Sequence, residues 1–225
     1  GPKRRSMVAT AAGFFKSMVS GLFNLKMMNL VMAPMMMAPP MVVPVEKEPH
    51  KGSPADLDPA QMKTLMAAAK DDRERMLARL FYASAARVSS TAELHYLDVF
   101  YDERRLFLRE AKGDVDLYAL IDQGTADMLR MWQGTEPISD SVFELSTRSL
   151  NRLISEMGER SGLQEQFEPL GESVSPHCFR HAFATHVYEA GMELYHIQKL
   201  LGHSSLAVTD QYIFQHFDRH QNVYR

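Results

Sequence analysis

Towards its C-terminal end the chain reads His177-Cys178-Phe179-Arg180-His181, then Leu200-Leu201-Gly202-His203-Ser204-Ser205, then Gln211-Tyr212. Cations and imidazoles therefore precede a phenol. A phenol is a poor base but a usable nucleophile and leaving group, so beside phosphate-clamping cations it points to covalent attack on a phosphodiester. A guanidinium such as that of Arg180 is planar, permanently charged and able to bond two phosphate oxygens at once. Taken singly, an arginine is far more often a solvated or salt-bridged surface residue. The chemistry rests on the ordered set.

Other chemistries compete for the same residues. His177 and His181 stand four apart on a helix with Cys178 beside them, a spacing that can bind zinc. Against it, the glutamate of an HExxH motif is missing and Arg180 places a cation beside the site. His181 then reads as a structural hydrogen bonder, and Cys178 as a small packed residue. Met192 to Gln211 also reads as helix, glycine turn, helix, which suits a non-enzymatic helix-turn-helix DNA-binding protein.

The elements that must position these groups can be read from caps and periodicity. Asp58-Pro59-Ala60-Gln61 supplies an N-cap, a proline at N1 and a glutamine at N3, with Met62, Leu65 and Met66 following at helical spacing. A second helix runs through Met76, Leu77, Leu80 and Phe81. Ser90-Thr91-Ala92-Glu93 has capping-box spacing, which predicts a helix starting after Ser90 with Arg87 in the preceding turn, where amides and the helix dipole favour an anion. Tyr96 to Leu120 changes to short β-branched and aromatic runs with Asp102-Glu103 and Lys112-Gly113-Asp114 as turns, predicting a three-stranded antiparallel sheet. Helices are expected over Thr125–Trp132 and Thr147–Arg160, with Gly162 just beyond the second. Ser175-Pro176 opens another that Gly191 should close. On it His177, Arg180, His181 and Ala184 share one face and Phe179, Phe183 and Val187 another, predicting separate polar and buried sides. Leu194, Ile197, Leu200 and Leu201 line the next helix, up to Gly202. The fold class expected is α+β, mainly α, with a small sheet.

The chain has 225 residues, enough for one full domain plus an appendage, and its single cysteine excludes an intramolecular disulfide framework and suggests a reducing compartment. Residues 1–45 hold five basic residues and no acid, leaving 20 basic against 28 acidic residues in the remainder. That acidic remainder should bind nucleic acid weakly by itself, since affinity for phosphate rests on Lys and Arg. Gly1-Pro2 reads as a protease scar. Residues 7–45 are rich in Met, Ala, Phe and Val, but Lys16 and Lys26 interrupt them and Pro34, Pro39, Pro40 and Pro44 break their far half, against a membrane span of about 20 apolar residues. From Met32 to Pro59 the density of Pro, Gly and Ser reads as an extended linker.

Tyr82-Ala83-Ser84-Ala85-Ala86-Arg87-Val88-Ser89, Leu94-His95-Tyr96-Leu97-Asp98-Val99, Ala111-Lys112-Gly113, HCFRHAFATHVYEAG and LLGHSS with Gln211-Tyr212 together resemble the catalytic domain of the tyrosine recombinase (phage integrase) family, from about residue 56 to the end. The resemblance implies that Arg87 and Arg180 clamp the scissile phosphate, His177 and His203 bond its oxygens, Lys112 protonates the leaving 5′ oxygen and Tyr212 attacks. Lys112 suits that task, because a flexible ammonium on a turn can follow a departing alkoxide. Ser90 departs from the pattern, which usually has an acidic residue there. The implied organisation is residues 1–31 as the last helix of a core-binding domain, 32–55 as linker and 56–225 as catalytic domain. The implied activity is site-specific DNA strand breaking and rejoining through a 3′-phosphotyrosyl intermediate, for integration, excision or resolution. A type IB topoisomerase-like nicking-closing enzyme shares this chemistry. No cofactor or metal is required. The implied partners are double-stranded DNA, other protomers in a tetrameric synaptic complex and accessory proteins, with no membrane and a cytoplasmic, nucleoid-associated location.

Overall fold

Asp58 accepts hydrogen bonds from the amides of Ala60 (2.7 Å) and Gln61 (2.8 Å), and the Gln61 side chain accepts from the Asp58 amide at 3.0 Å. This closes the expected capping box and starts α1, Pro59–Ala67. The computed structural model describes residues 53–109, 116–134 and 140–202. The expectations placed on residues 1–52, including the core-binding helix within 1–31 and most of the linker, lie outside these.

Helix α2, Asp72–Ser84, buries Met76, Leu77, Leu80, Phe81 and Tyr82. It ends on Ala85, a non-glycine residue at φ 50°, where the Cβ crowds the following carbonyl. The short α3, Val88–Ala92, follows, with Arg87 extended at φ −73°, ψ 153° as its N-cap. The capping box expected on Ser90 does not form. The amide of Thr91 (3.0 Å) and its hydroxyl (3.1 Å) both bond the Arg87 carbonyl, so the helix begins three residues early. Ser90 is thereby drawn inside, buried, and its hydroxyl makes no hydrogen bond.

The predicted sheet consists of β2 (Val99–Phe100), β3 (Arg105–Leu108) and β4 (Leu117–Leu120), antiparallel in that order. Leu106 faces Val99 and Ala119 in register, and these with Leu108 form the buried face. On the outer face the Arg105 guanidinium lies over Tyr118 (4.6 Å) and Phe100 (5.1 Å). Beyond the sheet come α4 (Gln123–Gln133), α5 (Thr147–Arg160) and the short α6 (Leu163–Phe167). Gly162 ends α5 with φ 75°, as its position suggested.

A second, two-stranded pairing has no counterpart in the sequence expectations. Strand β1, Ser53–Pro54, runs parallel to β5, Glu172–Ser173, and β5 leads straight into α7, Pro176–Glu189. Ser175 caps α7 and Gly191, at φ 94°, follows its end. Its faces differ from the expectation. Cys178 to Val187 are all buried, polar and apolar alike, because α1, α2, α5 and α8 (Leu194–Leu201) surround the helix. At the end of α8, Gly202 has φ 65°, and a Cβ there would come within 2.4 Å of Leu117 Cδ2. Glycine makes this left-handed turn without strain and leaves the Leu117 side chain of β4 undisturbed.

Candidate active site

The left-handed turn at Ala85 ends α2 and presents Arg87 half-buried at the start of α3. Arg180, on α7, is 4% exposed. Its guanidinium donates to the Ala85 carbonyl at 2.8 Å and to the Leu201 carbonyl at the end of α8. One arginine thus ties the turn before Arg87 to the residue two positions ahead of His203. A guanidinium has five N–H donors in a fixed plane, so bonds to carbonyls on two sides orient it as well as anchor it.

His177 lies one turn before Arg180 on α7, with its ring reaching solvent. Loss of hydration, then the charges of Arg180 and Arg87, hold its pKa below the usual 6.5. Both guanidiniums therefore act on one imidazole, and at neutral pH that imidazole is uncharged, with one nitrogen to donate and one to accept. Three of the six predicted site residues, Arg87, His177 and Arg180, come together in this way. Lys112, His203 and Tyr212 lie outside the described residues.

The neighbouring groups take structural places. His181 Nδ1 stands 3.4 Å from Asp56 Oδ1, both side chains at most 5% exposed. Cys178 is fully buried, with Sγ donating to the Ser173 carbonyl at 3.1 Å, and burial pushes its thiol up to about 11. At that value the thiolate is scarce at neutral pH, so Cys178 is no nucleophile. Among the described residues no group of three or more His, Cys, Asp or Glu side chains could hold a metal ion, and no helix is long and apolar enough to cross a membrane. His186, not singled out in the sequence, is buried with Nδ1 2.7 Å from the Tyr82 hydroxyl and Nε2 3.0 Å from the Leu57 carbonyl. Its position on the same helix as His177 was the one available signal.

The arrangement has known relatives. The chain is similar to the tyrosine recombinase XerC of Syntrophus aciditrophicus, 31% identical over 169 residues, which is 68% of this chain and 52% of that protein. It is similar also to XerA of Thermococcus kodakarensis, 31% identical over 150 residues, 62% of this chain and 50% of the relative. It thus spans about half the length of the curated relatives it matches. Among solved structures, a XerA recombinase superposes with a TM-score of 0.62 at 26% identity, covering 76% of this chain and 66% of that one. The XerH site-specific recombinase, in a pre-cleavage complex with its difH substrate, shares the fold at 17% identity and a TM-score of 0.60, covering 77% and 54%. The sequence model of the phage integrase family matches residues 55–219, a run that takes in all six predicted site residues and places this chain in the phage integrase family.

Proposed function

We propose that residues 56–225 are the catalytic domain of a site-specific DNA recombinase that cleaves and rejoins strands through a 3′-phosphotyrosyl intermediate, with residues 1–31 the end of a core-binding domain and 32–55 a linker. The observation that carries this reading is the convergence of Arg87 and Arg180 on His177. An anchored cation, a second cation and a neutral donor suit a phosphodiester as it gains charge in a five-coordinate transition state.

In this reading the Tyr212 oxygen forms a bond to phosphorus as the bond to the 5′ oxygen breaks. The phenol gives up its proton to a neighbouring base, and Lys112 protonates the departing 5′ oxygen. His203 joins His177 in bonding the phosphate oxygens. The 5′ hydroxyl of a second duplex later reverses the step, so the phosphodiester bond energy is conserved. The substrate is double-stranded DNA and the partners are further protomers, four in a synaptic complex, with accessory proteins as additional partners. The helix-turn-helix reading leaves the convergence of Arg87, His177 and Arg180 without a task. Similarity to recombinases favours strand exchange over a nicking-closing reaction.

The test is incubation of the protein with a nicked cognate duplex from which the cleaved fragment diffuses away. A covalent protein–DNA band should survive denaturation, and Tyr212→Phe should abolish it while DNA binding persists. A band that persists in the variant removes Tyr212 from the role.

A further inference from the structure

We infer that residues 53–57 form a strap that positions helix α7 for chemistry, with Asp56 as a positioning residue for the Arg180–His177 pair. This rests on the reading of that pair as catalytic. The strap is hydrogen-bonded at both ends. Ser53 and Pro54 pair with Glu172 and Ser173, and the Ala55 amide donates to the Ser173 carbonyl at 3.0 Å. That same carbonyl accepts the Cys178 thiol from the first turn of α7 at 3.1 Å. Ala55 and Leu57 are completely buried, and between them Asp56 meets His181 at 3.4 Å. The Leu57 carbonyl then meets His186 Nε2 at 3.0 Å. A carbonyl can only accept, so in the neutral ring the proton sits on Nε2 and Nδ1 accepts the Tyr82 hydroxyl.

Helix α7 is therefore gripped at two points by consecutive residues of one extended segment. His181 directly follows Arg180 and lies one turn beyond His177. Apolar packing of Ala55 and Leu57 would suffice to bury the segment, but it is non-directional. A carboxylate this deeply buried favours a nearby cation, and Asp56 faces the His181 imidazole at ion-pair distance rather than in hydrogen-bond geometry, so the contact, together with the Leu57–His186 bond, restrains the rotation of α7. Arg180 needs that setting, because its bonds to Ala85 and Leu201 come from two other elements and tolerate only small displacements. A misplacement of about 1 Å can cost about 10²-fold in rate.

The experiment compares Asp56→Ala, Asp56→Asn and Met62→Ala in the full chain. Met62 is a core residue of α1 without a polar group, and its truncation measures the effect of lost apolar packing beside α7. Asp56→Ala should slow single-turnover cleavage at saturating DNA by about 10- to 100-fold with DNA affinity unchanged within about twofold. Asp56→Asn, which keeps the side chain's size and a polar oxygen facing the imidazole, should recover most of the rate. Independently of any activity, the His177 ring followed by NMR should titrate nearer 6.5 in Asp56→Ala than in wild type, and should not move in Met62→Ala. A folded Asp56→Ala protein with wild-type titration and rate overturns the strap. So does a Met62→Ala protein that shifts both as far as Asp56→Ala. If wild type forms no adduct, the catalytic reading fails and the titration still decides the strap.

Discussion

His177 shows how a sequence position becomes a chemical group with a definite state. Desolvation and two guanidiniums depress its pKa, so over the window just below 6.5 the unfolded chain binds more protons than the folded one. Stability contributed by the neutral ring is present above 6.5 and is lost as pH falls through that window. Replacing His177 with Gln should therefore reduce the loss of stability between about pH 7.5 and about pH 5.5, read as the difference in urea midpoint at the two values. An unchanged difference would mean that the ring does not sit among cations. His177 and Arg180 were legible as a helical pair from their spacing. The burial of Arg180 between two carbonyls was not, since its partners are 95 and 21 residues away in sequence.

At the level of elements, the end of α2 matters most. Ala85 adopts a left-handed conformation that costs an L-residue roughly 1 kcal/mol, and the Arg180 bond to its carbonyl helps hold it there. Ala85→Gly should leave stability unchanged or raise it by up to about 1 kcal/mol. Ala83→Gly, two residues earlier in the same helix, should lower it by about 1 kcal/mol. Thermal melts of the two variants provide the check, and equal losses would refute a strained turn. Sequence reasoning placed Arg87 ahead of a helix but began that helix at Ser90, since a Ser-x-x-Glu pattern is a local signal. The turn at Ala85 and the double bond from Thr91 to Arg87 moved the start upstream.

Across the whole molecule, one buried carboxylate joins distant parts. Glu74 accepts hydrogen bonds from Arg160 at the end of α5 and from the Lys70 amide at 3.0 Å, and forms an ion pair with the Lys70 ammonium at 3.2 Å. Arg160 also donates to the Ala68 carbonyl at 3.1 Å, so the α1–α2 turn and α5 share one polar junction. The Glu74 side chain is 1% exposed, and Glu74→Gln should cost about 1–3 kcal/mol, seen as a lower urea midpoint with an unchanged slope. A midpoint equal to wild type would show that the junction is dispensable.

The sequence by itself determined what depends on near neighbours. The Asp58 capping box, the glycine at the end of α5 and the Ser175-Pro176 start of α7 all act over a few residues. The family was legible for a related reason: six chemically distinctive residues in one order form a pattern that chance seldom produces. Tertiary structure alone decided which partners the buried histidines of α7 meet. Asp56 and His181, or Leu57 and His186, are separated by more than a hundred residues, and a contact over that distance depends on how every intervening element packs. It also decided that α7 has no polar side, because four helices enclose it and each buried polar group must then find its partner inside the protein.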